Sequence, residues 1–229
     1  MAKEYRKIEK SAECPSCNWS GEKFLDFQCG YGRVYRDAEC PECKSQPRHR
    51  LFYLYFNKIL DRDKKLKLLH VSPEKILEKQ FKSYKNIDYL SMDIDPEKAM
   101  IKEDLTNLSF RDNSFDILVC SHVLEHIPDD RRAMSEIRRV IKKSGFATLD
   151  VPINEKVYET HEDPNITSRE GRTKAFLQWD HLRLYGTDFK DRLKDAGFIV
   201  SLNNFVDSFT EEEIHRYGLE KRVIYRCSK

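Results

Sequence analysis

The stretch 115–129, Phe-Asp-Ile-Leu-Val-Cys-Ser-His-Val-Leu-Glu-His-Ile-Pro-Asp, constrains the fold more than any other part of the chain. Its apolar run from Ile117 to Cys120 is short and rich in aliphatic residues, which predicts a strand buried on both faces. Beyond Pro128, apolar residues recur at three- and four-residue spacing, which predicts a helix. Because open α/β sheets bind ligands at the carboxyl ends of their parallel strands, residues 121–126 form a candidate pocket floor.

The same stretch resembles the fourth-strand motif of class I S-adenosylmethionine-dependent methyltransferases of the small-molecule type, similar to the type 11 group. The resemblance extends upstream to Asp93 and to Asp104-Leu105, and downstream to Gly145-Phe146-Ala147 and 181–185. It therefore covers most of the chain after about residue 60. It implies an α/β fold with a Rossmann-like, doubly wound, seven-stranded sheet, whose cofactor crosses the switch point of the sheet.

Composition indicates a soluble, cytoplasmic protein. The chain has 229 residues, of which 39% are apolar, enough for one medium domain and a small appendage. Its 41 basic and 39 acidic residues nearly balance, which does not favour a strong nucleic-acid or membrane-surface binder. No stretch has the length and apolar content of a membrane span, and the amino terminus lacks the apolar core of a signal peptide. The sequence carries no signal for the oligomeric state.

Four cysteines form two Cys-x-x-Cys pairs, Cys14 with Cys17 and Cys40 with Cys43. Two such turns supply the four thiolates of a tetrahedral zinc ion, and the spacing is close to that of a zinc ribbon. The alternative is a pair of disulfides or a redox pair, which a reducing compartment disfavours. We therefore expect a structural Zn²⁺ ion that stabilises a module too small to fold on apolar burial alone.

The predicted ribbon is also locally basic and aromatic, and its further role has two interpretations. The residues concerned are Arg33, Arg36, Lys44, Arg48, His49 and Arg50, with Trp19, Tyr31 and Tyr35. Such a surface can read nucleic acid by stacking and charge. A solvated basic rim is the commoner explanation, and the balanced overall charge favours substrate docking or lid formation over nucleic-acid binding.

A helix is predicted from Arg48 to Asp61, and the charged run 61–65 then marks a boundary. We therefore expect two domains, a zinc ribbon with its connecting helix over 1–60 and a Rossmann-like methyltransferase domain over 61–229. The run contains no Pro or Gly, which predicts a short joint rather than a flexible tether.

The stretch 66–74 is predicted to contain the first strand of the sheet and to lead into a helix around Ile76 and Leu77, through a turn without glycine. The methyltransferase family has a glycine-rich turn here, yet this chain has no glycine between Gly32 and Gly145. The turn resembles a His-hydrophobic-Ala-Pro-Glu variant of a bacterial subgroup that also carries the cysteine pairs. The resemblance implies that the methionine end of the cofactor is held by His70, Val71, Ser72, Pro73 and Glu74. The alternative is a degenerate pocket that binds nothing.

Acidic residues follow the next strands. Asp93 at the tip of the second strand is suited to accept hydrogen bonds from both ribose hydroxyls, next to Ile94, whereas Asp95 is expected to cap a helix. By resemblance, Asp104 accepts from the adenine amino group and Leu105 packs on the ring. The residues expected to form the remaining cofactor contacts are Ser121, His122 and Val123.

Residues 156–184 form a polar connection that is typical of a lid or a substrate loop. Within it, His181 and Glu162 are candidate general bases, and His126 is a further catalytic candidate that can face the cofactor's sulfonium. The alternative for each is a purely structural hydrogen bond. Before the loop, the helix is expected to run to Lys143 and to end at Ser144-Gly145.

We therefore predict an S-adenosylmethionine-dependent methyltransferase acting on a polar small molecule. By analogy with the subgroup, a sugar, a polysaccharide precursor or a similar metabolite is the expected acceptor. Two alternatives stay open: an RNA methyltransferase that uses the ribbon as its reader, and an inactive methyltransferase fold kept as a binding module.

Overall fold

The computed structural model describes residues 12–29 and 32–229. Tyr31, one of the candidate stacking residues, lies outside these ranges. The chain divides into two compact units. Of the described residues, the first unit contains 12–29, 32–60 and Asn204–Arg222, and the second contains Asp61–Asn203 together with Val223–Lys229. The expectation of one uninterrupted domain after residue 60 is therefore wrong for 204–222, which pack with the first unit.

The strands are short in the first unit and longer in the second. They are β1 (Ala12–Glu13), β2 (Ser20–Gly21), β3 (Leu25–Gln28), β4 (Val34–Glu39), β5 (Leu66–Val71), β6 (Ile87–Asp93), β7 (Ile101–Lys102), β8 (Phe115–Ser121), β9 (Ile141–Asp150), β10 (His161–Glu162), β11 (Arg183–Leu184), β12 (Ile199–Asn203) and β13 (Ile224–Ser228).

The helices separate these strands along the chain. They are α1 (Pro47–Ile59), α2 (Lys75–Ser83), α3 (Asp130–Val140), α4 (Arg169–Phe176), α5 (Phe189–Asp195) and α6 (Glu211–Tyr217), with 3₁₀ turns at Leu124–His126 and Phe205–Ser208.

The first unit is built from two antiparallel hairpins and two helices. Strand β1 pairs with β2, and β3 pairs with β4. Helix α1 begins with Pro47 in its first turn, where a missing N–H costs nothing. In the returning segment, Thr210 and Glu213 form a capping box at the start of α6. The ring of Phe205 packs edge-on against Tyr55 of α1 at 5.4 Å, which attaches this segment to the helix.

The second unit contains a seven-stranded sheet in the order β12-β13-β9-β8-β5-β6-β7. Strands β5 to β9 of this sheet pair in parallel, whereas β13 runs antiparallel to both of its neighbours. This is the Rossmann-like fold of class I methyltransferases, as the sequence predicted. The strand order reverses between β5 and β8, so the carboxyl ends of these strands open the crevice where such sheets bind ligands.

The core of the second unit follows from two sequence patterns. Six of the seven residues of β8 are buried, as expected for a strand covered on both faces. Helix α3 buries one stripe, formed by Ala133, Met134, Ile137 and Val140. Asp129 precedes this helix and its side chain accepts a hydrogen bond from the backbone N–H of Arg132. The helix therefore begins just after Pro128, where the sequence places it.

Helix α3 ends earlier than predicted. It stops at Val140, and β9 starts at Ile141, so 141–143 are strand rather than helix. Ile141 pairs with Phe115, and the register then shifts before Phe146 pairs with Ile117. A Cβ on Gly145 would lie 2.5 Å from the carbonyl oxygen of Asp116. This glycine therefore permits a close approach between neighbouring strands instead of ending a helix.

Two further local expectations need correction. Helix α4 forms inside the connection 156–184, which was expected to be irregular; Ser168 caps it by accepting from the backbone N–H of Gly171. The residues directly after Asp95 form a turn instead of the expected helix, and the Asp95 carboxylate accepts from the backbone N–H of Glu97. An aspartate side chain accepts from a nearby backbone N–H both at a helix start and in a turn, so its presence in the sequence does not distinguish the two.

No helix among the described residues is long and apolar enough to cross a membrane.

Candidate functional site

A cavity of about 700 Å³ lies in the second unit, at the carboxyl ends of β5, β6 and β8. Its volume is in the range of small-molecule sites. The structure brings most of the predicted cofactor residues together there. Those that line the cavity are Val71, Ser72, Asp93, Ile94, Asp104, Leu105, His122 and Val123.

The other predicted residues do not line this cavity. They are His70, Pro73, Glu74, Ser121, Glu162 and His181, whereas His126 does line it. His70 is fully buried, with Nε2 3.1 Å from Glu74 Oε2 and Nδ1 3.2 Å from the Tyr89 hydroxyl. This arrangement anchors the start of α2 to strand β5, so His70 and Glu74 support the turn between them and do not face the cavity.

The glycine-free turn adopts a conformation that normally favours glycine. Ser72 has a φ of 48°, in the left-handed region. Its backbone N–H donates to the carbonyl of Met92, and its hydroxyl donates to Asp93 Oδ2 at 2.7 Å. These two bonds link the ends of β5 and β6 and offset the cost of the strained backbone. The turn therefore keeps its tight shape without a glycine.

The carboxylate of Asp93 is held in a fixed orientation at the end of β6. Its Oδ2 accepts from Ser72 and its Oδ1 accepts from the backbone N–H of Asp95 at 2.9 Å. The side chain is mostly buried but still lines the cavity. Since each carboxylate oxygen has two acceptor positions, both oxygens retain the capacity to accept from a ligand's hydroxyl groups.

The adjacent wall combines an acidic turn with an apolar surface. Asp104 Oδ1 accepts from both the backbone N–H and the hydroxyl of Thr106, each at 2.8 Å. Leu105 is buried below this turn and contributes an apolar contact to the cavity. A carboxylate beside an apolar surface is suited to a flat, amine-bearing ring.

The opposite wall carries an imidazole between two buried carboxylates. His122 has a φ of 54°, and its Nδ1 lies 3.3 Å from Glu125 Oε1 while its Nε2 lies 3.5 Å from Asp150 Oδ2. Ser121, behind it, approaches the same Asp150 oxygen at 3.5 Å. The side chain of Glu125 is completely buried. The sequence analysis assigned no role to Glu125, although it lies within the stretch 115–129, or to Asp150, the last residue of β9.

Two histidines meet beside the cavity. The rings of His126 and His181 are 4.8 Å apart and nearly perpendicular. His126 Nδ1 donates to the carbonyl of Asp180 at 3.3 Å, and His181 Nδ1 donates to the carbonyl of Phe176 at 3.0 Å. Burial and the neighbouring His126 lower the pKa of His181 below its ordinary value. Of the three predicted catalytic residues, His126 is thus the one placed at the cavity.

Glu162 lies within an ion-pair network. Its carboxylate accepts from Arg183 Nε at 2.8 Å and from Arg192 Nη1 at 3.0 Å. Burial alone would raise the pKa of Glu162, but the hydrogen bonds from these two guanidinium groups outweigh it and lower the pKa. A carboxylate with a lowered pKa and two cationic partners is a poor proton acceptor, so the structure does not favour Glu162 as a base.

The same network fixes the start of α3. Both carboxylate oxygens of Asp130 accept from Arg192 Nη2, at 3.0 and 2.9 Å, and Oδ2 also accepts from the Tyr185 hydroxyl at 2.7 Å. Burial and the charge of Asp130 raise the pKa of Tyr185 well above its ordinary value. Arg183 additionally donates to the carbonyls of Leu124, Ile127 and Pro128. These bonds hold the loop after β8 in place.

The four predicted zinc ligands converge in the first unit. Cys14 Sγ lies 3.6 Å from Cys43 Sγ, and Cys17 Sγ lies 3.7 Å from Cys40 Sγ; all four sulfurs lie within 4.8 Å of one another. A tetrahedral zinc site with bonds of ~2.3 Å separates its sulfurs by roughly 3.8 Å. The described cysteines are all free thiols, at distances far beyond a disulfide bond. The donor set therefore fits a zinc ion.

The two cysteine turns are built alike. Asn18 and Lys44, each directly after the second cysteine of its pair, have φ values of 64° and 61°. Their backbone N–H groups donate to the carbonyls of Cys14 and Cys40, respectively. Each left-handed residue reverses the chain so that both thiols of a pair point to one centre.

A buried arginine lies beside the cysteines. Arg50 is fully buried and donates to the carbonyls of Ala38, Ser45, Tyr217 and Gly218 at 2.6–3.1 Å. Burial lowers its pKa to about 10, although the nearby cysteine sulfurs favour the charged form. Since four thiolates around Zn²⁺ carry a net negative charge, a buried cation next to them is electrostatically consistent. The expectation that Arg50 belongs to a solvated basic rim is wrong.

One known protein family matches the central part of the chain. Residues 64–149 match the family described as "Methyltransferase domain". The match covers the strands β5 to β9 and nearly all of the cavity wall, and it supports a methyltransferase.

Curated relatives match over limited lengths. Demethylmenaquinone methyltransferase of Staphylococcus epidermidis is 26% identical over 121 residues, covering 48% of this chain and 50% of that protein. An uncharacterized protein of Methanocaldococcus jannaschii is 43% identical over 49 residues, or 21% of each chain. The chain therefore spans half or less of the length of the curated relatives it matches.

Solved structures share the fold at low identity. A chain from a complex of the Haloferax volcanii Trm112 methyltransferase activator with a proposed methyltransferase superposes with a TM-score of 0.56. The two are 14% identical, and the superposition covers 79% of this chain and 90% of that one. At this identity the likeness establishes the fold alone.

Proposed function

We propose that the chain is an S-adenosylmethionine-dependent methyltransferase. The single observation that carries the proposal is the oriented carboxylate of Asp93 at the end of β6, inside a cavity at the switch point of a methyltransferase-type sheet. The family match over 64–149 supports the same conclusion. An acidic residue at this position is suited to bind the two hydroxyls of a ribose.

In this proposal the cavity residues form three groups, each of which binds one part of the cofactor. Asp93 and Ile94 take the ribose, and Asp104 with Leu105 takes the adenine. The strand end at Val71 and Ser72 faces the methionine portion, with His122 and Val123 on the opposite wall. In this proposal His70, Pro73, Glu74 and Ser121 support the site from behind. The left-handed Ser72 backbone favours a functional pocket over a degenerate one, because the tight turn persists without glycine.

The bound cofactor supplies the activated methyl group, so the chain's own residues mainly position the acceptor and exclude water. Of the three base candidates, His126 lines the cavity, His181 contacts it from behind, and Glu162 is engaged with two arginines. His126 Nδ1 donates to a carbonyl, which leaves the lone pair on Nε2 as the proton acceptor.

For the acceptor we propose a polar small molecule. The name of the demethylmenaquinone methyltransferases among the relatives supports a small-molecule acceptor, and the polarity of the acceptor is part of the proposal alone. The RNA alternative is weakened by two details of the ribbon: Arg50 is buried, and Trp19 packs on Phe24 at 5.5 Å inside the unit. For the ribbon itself we propose a structural Zn²⁺ held by the four cysteines.

Calorimetric titration of the purified, zinc-loaded chain with S-adenosylmethionine and S-adenosylhomocysteine tests the cofactor site. We expect saturable binding of both, lost in Asp93→Ala. Asp88→Ala is the matched control, since Asp88 lies on the same strand but is exposed and outside the cavity. Failure of the folded wild-type chain to bind either ligand contradicts the proposal and favours the inactive binding module.

A further inference from the structure

We infer that Glu125, His126 and His181 form a second metal site, separate from the cysteine cluster, for a divalent first-row transition ion. One ligand atom from each of the three residues lies within 4.8 Å of the other two. Two imidazoles and one carboxylate form a set that binds Zn²⁺, Fe²⁺, Co²⁺ or Ni²⁺. The proposed methyl transfer does not require this ion, but both assignments use the Nε2 lone pair of His126, so the metal site replaces the base role given to His126 above.

The separations are close to those of a metal centre. An ion bonded at ~2.0–2.2 Å to each ligand requires ligand atoms roughly 3.3–3.6 Å apart. The observed upper separation of 4.8 Å exceeds this by an amount that small side-chain rotations can remove. The rings of His126 and His181 meet edge to face with centroids 4.8 Å apart, which keeps the two side chains adjacent.

The hydrogen bonds leave the Nε2 lone pair of both imidazoles available to a metal ion. A backbone carbonyl can only accept, so Nδ1 of His126 and Nδ1 of His181 each carry the proton. In each neutral ring the lone pair is then on Nε2. Histidine ligands of metal ions characteristically donate their other ring N–H to a carbonyl or carboxylate, which orients the ring and raises its basicity.

Glu125 supplies the third ligand and the negative charge. Its side chain has no exposed surface, and a buried carboxylate is costly unless it is paired or bound to a metal. His122 Nδ1 lies 3.3 Å from Oε1, on the side toward Asp150. A carboxylate can bind a metal through one oxygen while the other oxygen contacts a neighbouring imidazole, as metal-ligating carboxylates commonly do.

The backbone holds the two ligand-bearing segments together. The N–H of Leu182 donates to the carbonyl of Glu125 at 2.8 Å. Because Leu182 directly follows His181, this bond joins the segment of His181 to that of Glu125. Arg183 donates to the carbonyls of Leu124 and Ile127, on either side of the pair Glu125-His126. The three ligands are therefore positioned by main-chain contacts rather than by flexible loops.

The site adjoins the cavity at one residue. His126 lines the cavity wall, whereas Glu125 and His181 are buried behind it. Three protein ligands leave a coordination position free, which is typical of catalytic rather than structural sites. Because one lone pair cannot bind a metal and accept a proton together, metal binding replaces the role of His126 as a base.

The test is metal analysis of the full chain after dialysis against Zn²⁺. We expect one equivalent of zinc bound by the cysteines and a second equivalent at the proposed site. His126→Gln and Glu125→Gln should each lose only the second equivalent. His215→Gln is the matched control, because His215 is exposed in the other unit, and it should keep both. His126 is partly exposed, so its variant is expected to fold.

Cobalt substitution supplies an independent measurement. The cysteine site should show intense thiolate-to-cobalt charge transfer, and the second site should add d–d absorption without it. The added bands should vanish in His126→Gln while the charge transfer persists. The inference is overturned by a wild-type chain that binds one equivalent of Zn²⁺ or Co²⁺, or by a second equivalent that survives in folded His126→Gln and Glu125→Gln.

Discussion

The hydroxyl of Ser72 donates a 2.7 Å hydrogen bond to the carboxylate of Asp93, and thereby joins the ends of two neighbouring strands at the cavity. Ser72 makes this bond from a left-handed backbone conformation that costs a non-glycine residue about 1–2 kcal/mol. The side chain and the backbone of this residue therefore act in opposite directions on stability, and substitutions can separate them.

Ser72→Ala removes the hydrogen bond but keeps the strained conformation, whereas Ser72→Gly removes both. A hydrogen bond to a charged group contributes about 1.5–3 kcal/mol, so we expect the alanine variant to be destabilised by roughly that amount. The glycine variant should be about 1 kcal/mol more stable than the alanine variant. Urea unfolding measures this difference, and equal stabilities of the two variants would contradict the assigned strain.

Asp130→Ala should be strongly destabilising. The substitution leaves the buried Arg192 guanidinium and the Tyr185 hydroxyl without their shared acceptor. Breaking a buried ion pair from one side typically costs about 3–5 kcal/mol. Chemical denaturation should show this loss, while Asp195→Ala, which removes an exposed carboxylate on α5, should stay within about 0.5 kcal/mol of wild type. Similar losses in both variants would be inconsistent with a buried network.

Glu162→Gln should alter the pH dependence of stability. Because the two arginines lower the pKa of Glu162 in the folded chain, its contribution is present above the unfolded-state pKa and is lost as the pH falls through the folded-state pKa. The difference in melting temperature between wild type and variant should therefore be largest near neutral pH and shrink below about pH 4. A difference that grows toward low pH would reverse the assigned sign.

Glu162→Gln also bears on catalysis. The structure assigns this carboxylate to an ion-pair network rather than to proton transfer, so the shape of the kcat pH profile should not change once an acceptor is known. Loss of the ascending limb of that profile in the variant would restore Glu162 as a base.

Arg50→Lys should destabilise the first unit despite conserving charge. Lysine has three donors and no planar fork, so it cannot reproduce the bonds from Arg50 to the four carbonyls. We expect a loss of roughly 3 kcal/mol or more, from several unsatisfied buried acceptors. Thermal unfolding of the Zn²⁺-loaded chain measures it. Arg36→Lys, at an exposed pair with Asp26, is the control and should change little.

The sequence predicted the parts of the fold that depend on local pattern. The buried apolar run predicted strand β8, and the three- and four-residue apolar spacing predicted helix α3. The paired Cys-x-x-Cys spacing predicted that the four cysteines converge. The end of α3 was predicted wrongly because Gly145 resembles a residue that ends a helix. In the structure, Gly145 lies on β9 and permits a close contact with the Asp116 carbonyl of the neighbouring strand β8. Such a contact exists only in the folded sheet.

The positions of Asp93 and Ser72 at the cavity were predictable because the strand ends themselves present these residues. The partners of Glu162 and the convergence of Glu125 with His181 depend on segments that are more than 20 residues apart in the chain. No periodicity or spacing encodes these approaches. The Glu-His and Asp-His dipeptides at 125–126 and 180–181 were the available signal, and only the fold shows that they meet.

Arg50 takes two of its four acceptors from Tyr217 and Gly218, 167 and 168 positions later in the chain. During synthesis the cysteine-bearing segment therefore emerges long before the carbonyls that complete its interior. This segment cannot be moved to another protein as one continuous piece, since a recombinant 12–60 fragment would keep the four clustered cysteines and lack 204–222. Evolutionary exchange of this unit would need chain breaks at three places, after residues 60, 203 and 222, which ties its inheritance to the strands encoded between its two segments.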